Sequence, residues 1–165
     1  MKTLYLFRHA KSSWKHPDLK DFDRPLNKRG KRDAPFMGQL LKEKGIHPDL
    51  IVSSPANRAL TTAQTVAAAL DYPAQKMLRD PGIYHASEQI LMGILRKMPY
   101  TINSVMLFGH NPGFTWLSNL LTDTHLDNIP TAGVVQISFP CKEWKALAPG
   151  HGTLDWFEYP KKHFT

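Results

Sequence analysis

Two periods of apolar and polar positions alternate along this chain. Thr3-Leu4-Tyr5-Leu6-Phe7, Leu50-Ile51-Val52 and Val105-Met106-Leu107-Phe108 are short continuous apolar runs, the pattern of strands buried on both faces. Residues 75–78, 134–139 and 154–159 are further strand candidates. The stretches between them read as helices. Asn27 caps a helix that runs to about Lys44 and stops at Gly45, with Met37, Leu40 and Leu41 as its apolar stripe. Pro35 within it predicts a kink or a later start. Ser54-Pro55 opens a helix to about Leu70, Ser87 one to Met98, and Asn111-Pro112 one through Trp116 to Leu121. Residues 11–25, rich in charge and aromatics, read as a long loop. Strands alternating with helices predict an α/β fold, a three-layer α/β/α sandwich with a mostly parallel central sheet. A length of 165 residues suits a single domain over 1–165. The relative direction of the last two strands is left open.

Composition narrows the function classes. The formal net charge is +7, which suits nucleic acid binding or an enzyme that attracts phosphorylated substrates. Zinc-finger spacing, an aromatic RNA-binding signature and a long basic run are all missing, which argues against nucleic acid. Cys141 is the single cysteine, so no intrachain disulfide can form. The first apolar run is too short for a signal peptide and leads directly into Arg8-His9. No segment approaches the length of a membrane span. A cytoplasmic protein without membrane attachment is the expectation.

Candidate chemistry sits where the apolar runs end. Arg8 and His9 follow the first, Ser53-Ser54-Pro55 and Arg58 the second, and Gly109-His110-Asn111-Pro112-Gly113 the third. In open α/β sheets, sites gather at the carboxyl ends of strands. Arg8, His9, Arg58 and His110 are therefore expected to form a cationic pocket with two histidines. Arg58 falls in the first turn or so of its helix, where free N–H groups already favour an anion. A guanidinium adds a planar fork suited to phosphate oxygens. Zinc normally takes three or four protein ligands at recognisable spacing. This chain has no His-Glu-x-x-His and no cysteine pair, and arginines flank its histidines, so a metal is not expected.

At these residues the chain resembles the histidine phosphatase superfamily, the phosphoglycerate mutase-like branch 1. The marker is Arg8-His9-Ala10, with Arg58 after Ser53-Ser54-Pro55 and the second histidine in Gly109-His110. Three blocks are similar to SixA-like phosphohistidine phosphatases in particular: Arg8-His9-Ala10-Lys11-Ser12-Ser13-Trp14, Asp23-Arg24-Pro25-Leu26-Asn27-Lys28-Arg29-Gly30 and Gly109-His110-Asn111-Pro112-Gly113. The resemblance implies that His9 attacks phosphorus and becomes a phosphohistidine, which water then hydrolyses. It implies that Arg8, Arg58 and His110 stabilise the transferred group and that no metal or organic cofactor is required; Ser12 and Lys15 are further candidate phosphate contacts of this chain.

The departures bear on substrate. Lys15 stands where mutase-like members carry Asn. Residues 79–87, where many members have a Glu general acid, contain none, and Asn111 stands where another branch uses Asp. Asp18 and Asp80 are the remaining carboxylate candidates. Expelling an alkoxide without a general acid is hard. Imidazole leaves a phosphohistidine more readily, because solvent can protonate its other nitrogen. The expected substrate is a phosphohistidine on a protein domain, with inorganic phosphate as product and no nucleic acid or membrane partner. The alternatives are a phosphatase for small phosphate monoesters or phosphoramidates, and a non-catalytic phosphate-binding adaptor.

Overall fold

A computed structural model describes residues 1–164. Six strands form one sheet: β1 (Lys2–Arg8), β2 (Leu50–Ser53), β3 (Leu78–Arg79), β4 (Ser104–Gly109), β5 (Val134–Phe139) and β6 (Thr153–Glu158). Their order across the sheet is β3-β2-β4-β1-β5-β6. β1 pairs parallel with β4, and β2 parallel with β4 and β3, whereas β5 runs antiparallel to both β1 and β6. Five strands thus share one direction and β5 opposes them. That settles the last two strands, which are antiparallel with a register shift at Gln136/Ile137.

Four helices cover the sheet: α1 (Lys28–Glu43), α2 (Asn57–Ala69), α3 (Glu88–Arg96) and α4 (Gly113–Leu121). The period of two along β1 sorts its side chains between the faces. Leu4 and Leu6 join Leu91, Leu95, Phe114 and Leu117 of α3 and α4 in one core. Tyr5 and Phe7 join Met37, Leu41, Ala63 and Val66 of α1 and α2 in the other. Each large apolar side chain buried in these cores contributes about 1.5–3 kcal/mol. The layers are those of the phosphoglycerate mutase-like α/β/α fold.

Several local expectations hold, and others need correction. Asn27 caps α1 by accepting from the Gly30 N–H at 2.9 Å, and Gly45 takes φ +73 just past the end. Ser87 caps α3. α1 runs through Pro35 uninterrupted, with the ring on its exposed side. Ser54 does not cap α2. The helix starts at Asn57 behind Ala56, because the Ser54 hydroxyl is engaged by His110. α4 likewise starts after Pro112, while the Asn111 carboxamide reaches back to the Thr115 N–H. The strand expected over 75–78 shrinks to Leu78–Arg79, because Ala74–Lys76 closes a 3-10 turn behind Pro73.

Candidate active site

The carboxyl ends of β1, β2 and β4 meet at one edge of the sheet. Backbone hydrogen bonds lock them: the His9 N–H donates to the Gly109 carbonyl at 3.0 Å, Ser54 N–H to Phe108 at 2.9 Å, and Ala132 N–H to His9 at 3.0 Å. The Ala10 N–H donates to Thr62 Oγ1 of α2 at 3.0 Å. The loop after β1 returns to its starting point, since Ser13 N–H donates to Pro25 and Asn27 N–H to Lys11. Gly30 permits this return: a Cβ there would lie 2.2 Å from the Lys11 carbonyl oxygen.

His9 is 8% exposed. Its Nδ1 lies 2.7 Å from the Ala10 carbonyl oxygen. A carbonyl only accepts, so Nδ1 carries the proton and Nε2 is the free lone pair of the neutral ring. Burial, then the charges of Arg58, Arg8 and Arg24, depress its pKa to about 3 against the opposing pull of the Ala10 bond. His110 is equally buried. Its ring centroid lies 5.2 Å from that of His9, and its Nε2 is 2.8 Å from Ser54 Oγ. Burial and the neighbouring His9 and Arg58 hold it neutral as well.

Arg8, His9, Ser12 and Arg58 line one cavity of about 160 Å³, together with Lys11, Trp14, Arg24 and Thr131. Arg8 donates to the Ile129 carbonyl at 2.9 Å, and Asn111 donates to that same carbonyl at 2.9 Å. Asn111 is thus a strut between α4 and the 128–129 loop and is committed to neighbours at both ends of its amide. Arg8 Nε, Arg58 Nε and His110 Nδ1 are buried and have no hydrogen-bond partner among the described residues. Unpartnered buried donors are costly, and folded proteins carry them where a ligand meets them.

Lys15 lies apart from the other candidates. Its exposed side chain lies not in this cavity but in a separate groove with Asn27, Lys28, Arg29 and Arg32. Ser12 does line the cavity, where its hydroxyl accepts from Arg24. Asp80 caps the turn at Pro81–Ile83 by accepting from Gly82 N–H, and Asp18 lies on the exposed stretch of the loop. Among the described residues no group of three or more His, Cys, Asp or Glu is placed to hold a metal ion. No helix among the described residues is long and apolar enough to cross a membrane.

Two site residues escape a reading by strand ends. Arg24 is 7% exposed, lines the cavity and donates to the Ser13 carbonyl at 3.1 Å. Asp21 gathers four neighbours: Arg58 Nη2 at 3.0 Å, Arg24 Nη1 at 3.0 Å, the Tyr84 hydroxyl at 2.6 Å, and His85 Nε2 at 3.9 Å. Burial works to raise its pKa, but hydrogen bonds from Tyr84, Arg58 and Arg24 outweigh it and hold the carboxyl well below its usual range. Asp21 is therefore an ionised anchor for two guanidiniums. Arg24 belongs to the block Asp23-Arg24-Pro25, which was the available signal for it.

The family model of the histidine phosphatase superfamily, branch 1, matches residues 4–81. The chain is similar to a chloroplastic protein of Arabidopsis thaliana, with 33% identity over 129 residues, 73% of this chain and 59% of that relative. The chain thus spans less than two thirds of that relative's length. The protein histidine phosphatase SixA in complex with tungstate superposes at a TM-score of 0.83 and 20% identity, covering 97% of this chain and 98% of its own. SixA from Agrobacterium tumefaciens gives 0.77 at 25% identity, covering 96% and 98%.

Proposed function

We propose that the chain is a metal-independent phosphatase that hydrolyses phosphohistidine on a protein through a covalent intermediate on His9. The observation that carries this reading is the His9 ring. Its Nδ1–H is tied to the Ala10 carbonyl, and its other nitrogen is unprotonated in a cavity with three guanidiniums.

Nε2 of neutral His9 attacks phosphorus, and the bond from phosphorus to the substrate nitrogen breaks. The leaving imidazole takes a proton from solvent. Water then attacks the phosphoryl group on His9 and releases inorganic phosphate. Both transition states spread negative charge over three equatorial oxygens, so fixed cations are the main requirement. Arg8, Arg24, Arg58 and neutral His110 supply charge and donors there. A covalent intermediate divides one hard displacement into two easier ones.

The absence of a placed carboxylic acid favours nitrogen leaving groups. Asp21 is ionised and committed to its arginines, and Asp80 to its turn. The cavity of about 160 Å³ admits a phosphoryl group and little beyond it, so most of the substrate lies outside. Both points favour a side chain on a protein surface over a sugar phosphate. They also separate the enzyme from an adaptor, which has no need of a free nucleophilic nitrogen.

The test is kcat across a leaving-group series at saturation. Phosphohistidine, phosphoramidate and aryl phosphates should turn over well, and alkyl and sugar phosphates poorly, because the deficit lies in the chemical step. A flat series, or collapse of phosphohistidine turnover in Asp80→Asn, would reveal a working proton donor and return the small-monoester reading. Absence of turnover on every substrate, with phosphate still bound, would leave the adaptor.

A further inference from the structure

We propose that the groove lined by Lys15, Asn27, Lys28, Arg29 and Arg32 docks carboxylate side chains that flank the phosphohistidine on the substrate protein. The proposal rests on the phosphoprotein reading above and assigns that substrate a recognition surface.

The groove is large, about 570 Å³ against 160 Å³ for the catalytic cavity. It carries four cations from two separate segments, the loop after β1 and the first turns of α1. Their charges are mostly unbalanced. Arg29 and Arg32 share one carboxylate, Asp33, at 3.4 and 2.9 Å, and Asp33 is itself fully buried. Neither Lys15 nor Lys28 makes an ion pair among the described residues. Lys28 and Arg32 stand at i and i+4 on one helix, a like-charge placement that disfavours the helix. A surface that keeps such repulsion is suited to an anionic partner.

Groove and cavity adjoin. Lys11, Ser12 and Trp14 line the cavity, and the next residue, Lys15, lines the groove. The Asn27 N–H of the groove donates to the Lys11 carbonyl at 2.9 Å. Trp14, on the cavity and next to Lys15 in sequence, is 74% exposed, with the Arg24 guanidinium 3.4 Å from its ring centre. An exposed aromatic held over an arginine is the residue type that anchors protein interfaces. A polypeptide whose phosphohistidine enters the cavity therefore passes Trp14 and meets the cations. One small anion would occupy a single cation pair and leave the rest of so wide a groove unused. Nucleic acid offers phosphates but no phosphohistidine for the neighbouring nucleophile, so an acidic protein face fits better.

The experiment uses two synthetic phosphohistidine peptides, identical except that glutamates flanking the histidine in one are glutamines in the other. Phosphate release and direct binding of the unphosphorylated peptides are measured separately. KM for the glutamate peptide should be about tenfold lower, and the advantage should vanish at high salt, as expected for steering by exposed charge. The double variant Lys28→Glu, Arg32→Glu should abolish the preference in both assays and leave phosphoramidate turnover unchanged. Equal binding of the two peptides, or a preference that survives the double variant, would overturn the docking assignment. So would a single-stranded oligonucleotide binding the groove more tightly than the glutamate peptide. Preferential binding without phosphate release from either peptide would overturn the catalytic reading and leave the docking surface standing.

Discussion

His9 and Arg58 make different demands on their neighbours, and their substitutions should fail differently. His9 is chemical rather than structural. His9→Ala should abolish turnover while the domain remains folded, and brief reaction of the parent should trap an acid-labile, base-stable phosphoryl group. More than trace activity in that variant would remove His9 as the nucleophile. Arg58 reaches Asp21 through both terminal nitrogens, with Nε left over inside. Arg58→Ala should lower kcat by about 10²–10³, the cost of one preorganised donor. Arg58→Lys should recover little, since an ammonium cannot hold Asp21 and also meet an oxyanion. Near-normal kcat in the lysine variant would show that charge alone suffices. The sequence singles out Arg8, His9, Arg58 and His110 because each follows an apolar run, and the structure brings Arg8, His9 and Arg58 to one cavity with the His110 ring 5.2 Å from that of His9. Arg24, Asp21 and the place of Lys15 were not legible in the sequence. They lie in a loop without periodicity, where hydrogen bonds across the turn decide which side chains face inward.

At the scale of elements, the clear signals were caps and apolar runs, and the errors came from polar groups with more than one suitor. Ser54 has the residue type and the following proline of a helix cap, yet its hydroxyl lies against His110. Asn111 accepts the Thr115 N–H of the first turn from one residue outside the cap position, and also ties α4 to the Ile129 carbonyl. Nothing local could disclose either, because the competing partner comes from another strand or loop. Gly109 shows the same coupling through packing. A Cβ there would lie 2.6 Å from Phe114 Cζ and 2.7 Å from Ile83 Cγ2. Gly109→Ala should therefore overpack the junction of β4 and α4 at a cost of about 1–3 kcal/mol. A thermal melt should show a fall of roughly 2–12 °C, with kcat reduced because His110 is the next residue. An unchanged melting temperature would mean that Phe114 rotates away and that the glycine is not required by packing.

Across the whole molecule, the neutrality of two buried histidines inside a basic protein has a thermodynamic consequence. In the unfolded chain their imidazoles take protons near pH 6.5. In the folded chain, burial and the arginines keep both deprotonated far below that, His9 down to about 3. Above pH 6.5 neither state binds these protons, and the groups do not affect stability. Below it the unfolded state binds more protons, so stability falls as pH falls, by about 1.4 kcal/mol per pH unit for each histidine. For His9 the loss continues to about pH 3 and then levels off. Asp21 adds the same sign at the acid end. Its hydrogen-bonded carboxylate stabilises the fold above the ordinary Asp range and loses that effect as acid protonates it, discounted because the side chain is 42% exposed. Denaturant titrations from pH 8 to about pH 4 should therefore show a plateau and then a steepening decline below pH 6.5. His9→Ala should remove one proton's share of the slope while leaving the plateau in place, and Arg58→Ala should soften it by withdrawing a repelling charge. A parent stability flat down to pH 4 would mean that the imidazoles protonate freely in the folded state. His9 would then lack the free nitrogen on which the proposed chemistry depends.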